Sequence, residues 1–376
     1  HVPDDAAGGG DPFEGVANVA LHAVARPERL LDRALRHTLY PLDARFLADA
    51  VLSRGAGSGA AYDVVYAHDL PTAWPAARVA RRQGARLVYD VHDLAVETID
   101  QGFPESVSPW RRLKHGFARR VMRRSSAAWE RRFVRRADLV VTTTESYLAY
   151  LRERYGLRGG LVLPNVPPRC DVRPAGRLHA LAGVPPGAPI VLYHGLLGRG
   201  RHLHEIVGAA RHLPEGAFVV LLGDGHLLAE LRALAAAGGA AGGLTARVRF
   251  VPAVPYGELL PLVADAALGL VLIEPINLSK RLALANKLTE TMAAGVAVLA
   301  SDVPENRRIV EATGCGTLVP VPSAAALGAT LRELLADPAG LAARGAAGRR
   351  AFLERYHWEA CEPAFDAAFR ALLEDA

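Results

Sequence analysis

The sequence predicts an α/β fold of two doubly wound, Rossmann-like domains. Three observations carry this expectation. Short, nearly uninterrupted apolar runs recur along the chain, as expected of strands buried on both faces of a parallel sheet. Each run is followed by a helix-like stretch, so strand and helix alternate. The alternation occurs twice, with a proline-rich break between the two series.

In the first half the strand-like runs are 62–68, 86–92, 138–144 and 161–165. In the second half they are 189–195, 218–225, 248–254, 268–274, 296–301 and 316–320. The break, residues 164–189, holds seven prolines and little periodicity, with a short helical turn expected around Leu181–Val184. These marks predict an N-terminal domain over 1–175, a C-terminal domain over 186–350 and a helical tail over 351–376. The tail reads as one or two amphipathic helices, with Phe352, Tyr356, Trp358, Phe365, Phe369 and Leu373 at apolar positions. Residues 1–12 are rich in Gly, Asp and Pro, and 16–24 is a candidate strand. No strand with a glycine-rich turn precedes it, so the first strand–loop–helix unit of the N-terminal domain is expected to be missing.

A chain of 376 residues is long enough for two ordinary domains with separate cores. No stretch approaches the roughly 18–20 uncharged apolar residues of a membrane span. Cys170, Cys315 and Cys361 are far apart and lack metal-type spacing, so they read as reduced thiols in a cytoplasmic protein. The chain starts on His1 and shows no signal-peptide pattern, and it is read as lacking its original N-terminus. Only three of the 44 basic residues are lysines. Where arginine serves nearly everywhere, a retained lysine marks a site wanting a compact, strongly hydrated charge. Lys280 and Lys287 are two such positions.

In doubly wound domains, ligands bind at the carboxyl ends of the strands. His68, Asp69, His92 and Asp93 fall there in the first half; His194, Gly195, Gly223, Asp224, Gly225 and Glu274 fall there in the second. The loop from Gly195 to His202 passes through three glycines into a helix, a form that presents backbone N–H groups to a phosphate, and Arg199 or Arg201 would add charge. It matches neither the dinucleotide fingerprint nor a Walker loop. Asn286 and Lys287 open a further helix, and Glu290 lies one turn on, on the same face. Such a helix start suits a diphosphate held by Lys287 and sugar hydroxyls held by Glu290.

The second-half set of Gly195 to Arg201, Gly223-Asp224-Gly225, Val248-Arg249-Phe250, Asn286-Lys287-Leu288-Thr289-Glu290 through Gly295, Val298 to Ser301 and Gly314 to Val319 resembles the family 4 glycosyltransferases of the GT-B fold. Tyr62 to Asp69, Leu87 to Asp93, Ala137 to Val141 and Leu163 to Asn165 resemble their first half. The resemblance covers residues 60–376. It implies transfer of a sugar, with retention of anomeric configuration, from a nucleotide donor on the C-terminal domain to a hydroxyl acceptor on the N-terminal one. UDP- and GDP-sugars are the expected donors, and natural-product or cell-envelope glycans the expected setting. By this resemblance Arg201 and Lys287 neutralise the donor diphosphate, Glu290 binds the ribose and His92 lies beside the reacting sugar. Gly195, Gly223, Asp224, Val251, Glu274, Asn286 and Leu288 would line the donor site, and His68, Asp69 and Asp93 the acceptor side. No metal or other cofactor is expected. Many members carry a second glutamate eight residues before the one at Glu290. Here that position is Leu282, with Glu274 or Asn277 as candidate substitutes.

From Arg111 to Arg136 there are ten arginines and one lysine against Glu130 alone, leaving 33 basic and 38 acidic residues elsewhere. Phe117, Val121, Trp129 and Phe133 are interleaved with the arginine pairs. The stretch reads first as a solvated helix face, and second as a basic amphipathic helix making peripheral contact with an anionic membrane. A nucleic-acid binder fits poorly, since the rest of the chain is acidic and no nucleic-acid motif is present. A nucleotide-sugar epimerase or a phosphorylase on the same scaffold is the other alternative.

Overall fold

The computed structural model describes residues 62–102, 108–237, 244–320 and 323–374. The predicted strand at 16–24 lies outside them. The first domain consists of β1 (Val64–His68), α1 (Asp69–Gln83), β2 (Arg86–Val91), α2 (Ala95–Thr98), α3 (Pro109–Val134), β3 (Leu139–Thr142), α4 (Glu145–Tyr155) and β4 (Leu161–Val162). Its strands form a parallel sheet in the order β1-β2-β3-β4.

A helical turn, α5 (Leu178–Ala182), precedes the second domain and ends on Gly183 in the left-handed region. The second domain then runs β5 (Ile190–His194), α6 (Leu203–Ala209), β6 (Phe218–Leu222), α7 (Leu228–Ala236), β7 (Val248–Val251), α8 (Tyr256–Val263), β8 (Leu268–Val271) and α9 (Leu278–Leu282). It continues with α10 (Asn286–Ala293), β9 (Ala297–Ser301), α11 (Pro304–Thr313), β10 (Gly316–Val319), α12 (Ala324–Leu335) and α13 (Pro338–Arg355). The last helix is α14 (Trp358–Glu374).

The ten strands seen among the described residues fall on the ten apolar runs. The central strands are buried on both faces, which is why alternation of polar and apolar residues is absent from them, and the edge strands are only partly buried. In β5 all five residues are buried, and β9 is buried throughout. The second sheet is parallel in the order β10-β9-β8-β5-β6-β7. From β5 the chain winds outward through β6 and β7, then returns to β8 on the other side of β5 and winds outward again. The order therefore reverses between β5 and β8, and at such a switch point the loops after the two strands part and leave a crevice.

The tail divides differently from the expectation. Residue 351 falls inside α13, where Ala351 and Phe352 join the core of the second domain. The break comes at Tyr356–His357, after which α14 returns to the first domain. There Phe369 stacks on Tyr66 with ring centroids 6.1 Å apart. Leu372, rather than Leu373, is the buried leucine and packs with Val88 and Val141. No helix among the described residues is long and apolar enough to cross a membrane.

The inner face of α3 carries one ionisable group into the first core. Glu130 is 1% exposed and accepts hydrogen bonds from Tyr155 Oη (2.6 Å) and Tyr89 Oη (3.4 Å). Burial outweighs these bonds and raises its pKa to about 7. A carboxyl whose folded pKa lies above its unfolded value stabilises the fold below the unfolded pKa, and that contribution is lost as pH rises through the folded one. Glu130→Gln should therefore gain stability relative to the parent between pH 5 and pH 8, by up to about 3 kcal/mol. Melting curves of both proteins at the two pH values check this; a pH-independent difference would contradict it.

Candidate active site

The crevice at the switch point is walled by the loop after β5 and the start of α10. Gly195 follows β5 with φ of +105°, and a Cβ there would lie 3.1 Å from both Nζ and Cε of Lys287. The side chain of Lys287 thus packs so closely on Gly195 that any larger residue there would crowd its ammonium. Beneath it the ring of Tyr193 faces the ammonium, with Nζ 5.1 Å from the ring centroid. Gly223 (φ +149°) closes the same corner from β6, its Cα packed so tightly on the Gly195 carbonyl that no side chain fits. The two loops are tied by Gly195 N–H to Leu222 O and by Leu197 N–H to Asp224 O. Asp224 itself caps the N–H of Gly225.

Lys287 and Arg201 converge here. Burial lowers the Lys287 pKa to about 8, and the charge of Arg201 pushes it the same way, with Glu290 opposing. Arg201 is held in the loop by its own donation to Arg199 O at 2.8 Å. One turn into α10, Glu290 is 8% exposed and accepts from His194 Nε2 at 3.0 Å. His194 is fully enclosed, and burial holds its pKa below the usual imidazole range. It therefore stands as the neutral tautomer with its proton on Nε2, aimed at the carboxylate. Tyr256 reaches the same carboxylate from α8; partial burial and Glu290 push its phenol up to about 12.

Asn286 is exposed at the start of α10. Glu274 anchors the far end of the glycine loop through its N–H to Gly200 O. Two residues expected to line the donor site do not present side chains to it. Leu288 is fully buried in the core behind α10, with its N–H bonded to Ala285 O. Val251 is 2% exposed among core residues of the sheet.

The first domain supplies the opposing wall. Asp69, at the end of β1, is one of two described non-glycine residues with positive φ (58°). Its carboxylate oxygen accepts the N–H groups of His92 and Asp93 at 2.8 and 3.1 Å, which pins the loop after β2. Asp90 lies below, with Oδ2 at 2.8 Å from His92 Nε2, 3.1 Å from His68 Nδ1 and 3.0 Å from Tyr66 Oη. Burial works against its charge, but hydrogen bonds from His68, His92 and Tyr66 prevail and hold its pKa at about 2. The bond to Asp90 in turn raises the His92 pKa. His68, Asp90 and His92 are the one group among the described residues with ligand atoms gathered closely enough for a metal ion.

The two walls are joined through Ser279, which α9 carries across the cleft. Its Oγ donates to Asp93 Oδ1 (2.9 Å) and accepts from Leu94 N–H (3.1 Å), and Tyr147 Oη lies 2.9 Å away. Lys280 Nζ is 3.7 Å from Asp93 Oδ1. Asn277 caps α9 by accepting from Lys280 N–H. Leu282 packs against the first-domain core, and its carbonyl accepts from Thr144 Oγ1. The position that is glutamate in many of the proteins resembled is here a contact between domains. Asp90, His194 as a partner of Glu290, Tyr193 and Ser279 were not singled out by spacing. Asp90 did leave a signal, being a lone carboxylate inside an apolar strand.

Comparison with known proteins identifies the family and the fold. The model described as Glycosyltransferase Family 4 matches residues 6–165, and that described as Glycosyl transferases group 1 matches residues 178–351. D-inositol 3-phosphate glycosyltransferase of Nocardiopsis dassonvillei is 29% identical over 160 residues, 41% of this chain. The match spans 34% of that relative's length. Sucrose-phosphate synthase from Thermosynechococcus elongatus superposes with a TM-score of 0.71 at 22% identity, over 91% of this chain and 80% of its own. Anabaena HepE in complex with UDP-glucose gives 0.67 at 18%, over 86% and 82%. WaaG, a glycosyltransferase involved in lipopolysaccharide biosynthesis, gives 0.56 at 19%, over 79% and 81%. Two consecutive family models, and a pair of parallel-sheet domains closed around a glycine loop and a lysine-headed helix, lead to one assignment: the chain belongs to the family 4 glycosyltransferases and has the GT-B fold.

Proposed function

We propose that the protein transfers a glycosyl unit from a nucleoside-diphosphate sugar, UDP- or GDP-linked, to an acceptor hydroxyl, with retention of anomeric configuration. The observation that carries this is the convergence of Lys287 and Arg201 on the side-chain-free corner at Gly195. Two cations beside exposed loop backbone form a cradle for a diphosphate. Glu290, oriented by His194, is placed one helical turn away to accept hydrogen bonds from ribose hydroxyls. HepE, of the same fold, is known in complex with UDP and with UDP-glucose, which supports a uridine donor.

In this reading the barrier falls because charge developing on the leaving diphosphate meets cations already in position. Lys287 and Arg201 need no metal to do this. His92 faces the sugar from the opposite wall, oriented by Asp90 below and by the bond from its N–H to Asp69. Asp69 and Asp93 line the acceptor side, and His68 lies at its exposed rim.

A thermal-shift panel of UDP-, GDP-, ADP- and TDP-sugars tests the donor class, since a ligand that binds the folded state raises the melting temperature by mass action. Stabilisation by none of them would refute the proposal. Lys287→Ala should lower kcat/KM by about 100-fold or more, the effect of deleting one preorganised donor at a developing charge. Its melting temperature should stay level or rise, because a partly buried, Arg201-repelled cation is removed. A folded, fully active variant would contradict the assignment.

Affinity for the nucleoside diphosphate should also depend on pH. Protonated Lys287 binds the anion, and its pKa in the free protein is about 8, so binding is full below that value and weakens above it. The dissociation constant should rise about tenfold between pH 7 and pH 9. Titration calorimetry across this range measures it, and Lys287→Ala should lack the rise.

A further inference from the structure

The exposed face of α3 has no role in the site described above, and its composition is unusual. Counting about 100° per residue, Trp110, Leu113, Phe117 and Val121 fall on one side of the helix. They are 74%, 67%, 72% and 37% exposed. Four of the ten large apolar residues exposed among the described residues are thus gathered on this single stripe. The same side continues with Arg120, Arg124, Arg131 and Arg132, all exposed. None of these four has a carboxylate partner among the described residues. The acidic residue of the helix, Glu130, points the opposite way into the core with Ser126, Phe133 and Val134.

By the same count Lys114 shares this face, which gathers large apolar residues over its first half and arginines over the remainder, and carries no acidic residue of the helix. A solvated helix face would hold polar side chains at 110, 113, 117 and 121; this one exposes Trp, Leu, Phe and Val. The geometry also places it at the cleft. Arg123 reaches Glu97 and Asp100, just beyond the carboxyl end of β2, at 2.8 and 3.1 Å. The turns before Arg123 therefore project past the sheet on the side where the two domains meet.

We propose that this face of α3 docks on an anionic lipid bilayer, with Trp110, Leu113 and Phe117 entering the headgroup–acyl boundary and the arginines lying over anionic headgroups. Each component suits that surface. Aromatic and leucine side chains partition into the interface, while guanidinium groups are attracted by the negative surface potential. The arrangement sets the mouth of the cleft against the membrane plane. It does not depend on which donor is used.

The test is flotation of the full chain with vesicles of phosphatidylcholine alone or of phosphatidylcholine with phosphatidylglycerol, at low and high salt. The expected result is binding only to the anionic vesicles, with release at high salt. Trp110→Ser/Phe117→Ser and Arg120→Glu/Arg124→Glu should each weaken binding by about tenfold or more, with unchanged melting temperatures because all four side chains are exposed. Absence of binding to anionic vesicles at low salt would overturn the proposal, as would unchanged binding in both variants. A marked drop in the melting temperature of Trp110→Ser/Phe117→Ser would overturn it by showing that another part of the chain covers the face. Conversion of a dimer to a monomer by that variant in sedimentation would overturn it in favour of a second copy.

Discussion

The ammonium of Lys287, enclosed between loop backbone and an aromatic ring, is the constraint around which the second-domain crevice is arranged. A cation in such a place is stable only when its neighbours make room and compensate its charge. Room comes from Gly195, where any side chain would crowd the lysine. Compensation comes from the Tyr193 ring beneath and from Glu290 one turn along α10. Arg201 works against both, so the corner holds more positive charge than it neutralises. That surplus sets the corner apart from a structural ion pair, because a structural pair would have been closed within the protein.

The first-domain wall obeys the opposite electrostatic logic. There a buried carboxylate, Asp90, is surrounded by groups able to donate to it, and its charge orients His92 and His68. Asp69 accepts a left-handed backbone to hold the loop that carries His92 and Asp93. Between the walls, Ser279 bonds to Asp93 and Leu94 of one domain from a helix of the other. Together with the Thr144–Leu282, Lys280–Asp93 and Ser146–Glu305 contacts, this hydroxyl holds the cationic corner and the histidine cluster on facing walls.

Much of this was legible in the sequence, and the reason differs between fold and site. The strands could be read because two-sided burial leaves an apolar run that survives without any knowledge of partners. Lys287 and Glu290 could be read because a helix converts a separation of three into a shared face. Contacts between distant segments were not legible in the same way. The bond from His194 to Glu290 joins residues 96 positions apart, and the Ser279 contacts span more than 180. Motif adjacency also misleads about direction. Leu288 and Val251 sit beside site residues in sequence, yet the helix and strand turn both into the core. In the tail, Leu372 and Leu373 are both consistent with the spacing from Phe365 and Phe369, and only packing against Val88 and Val141 selects the former.

The return of α14 to the first domain means that the polypeptide passes between the domains twice. The two passages run side by side. Trp358 N–H donates to Pro167 O, Arg169 N–H donates to Glu359, and Arg349 donates to Cys170 O. Two strands of chain fastened to each other act as a door hinge with two pins on one line. Such a joint leaves rotation about that line as the soft direction and stiffens sliding or twisting of one domain across the other. Whenever the Ser279 contacts release, the cleft should open and close along one repeatable arc, bringing the same lysine back opposite the same histidine on every cycle.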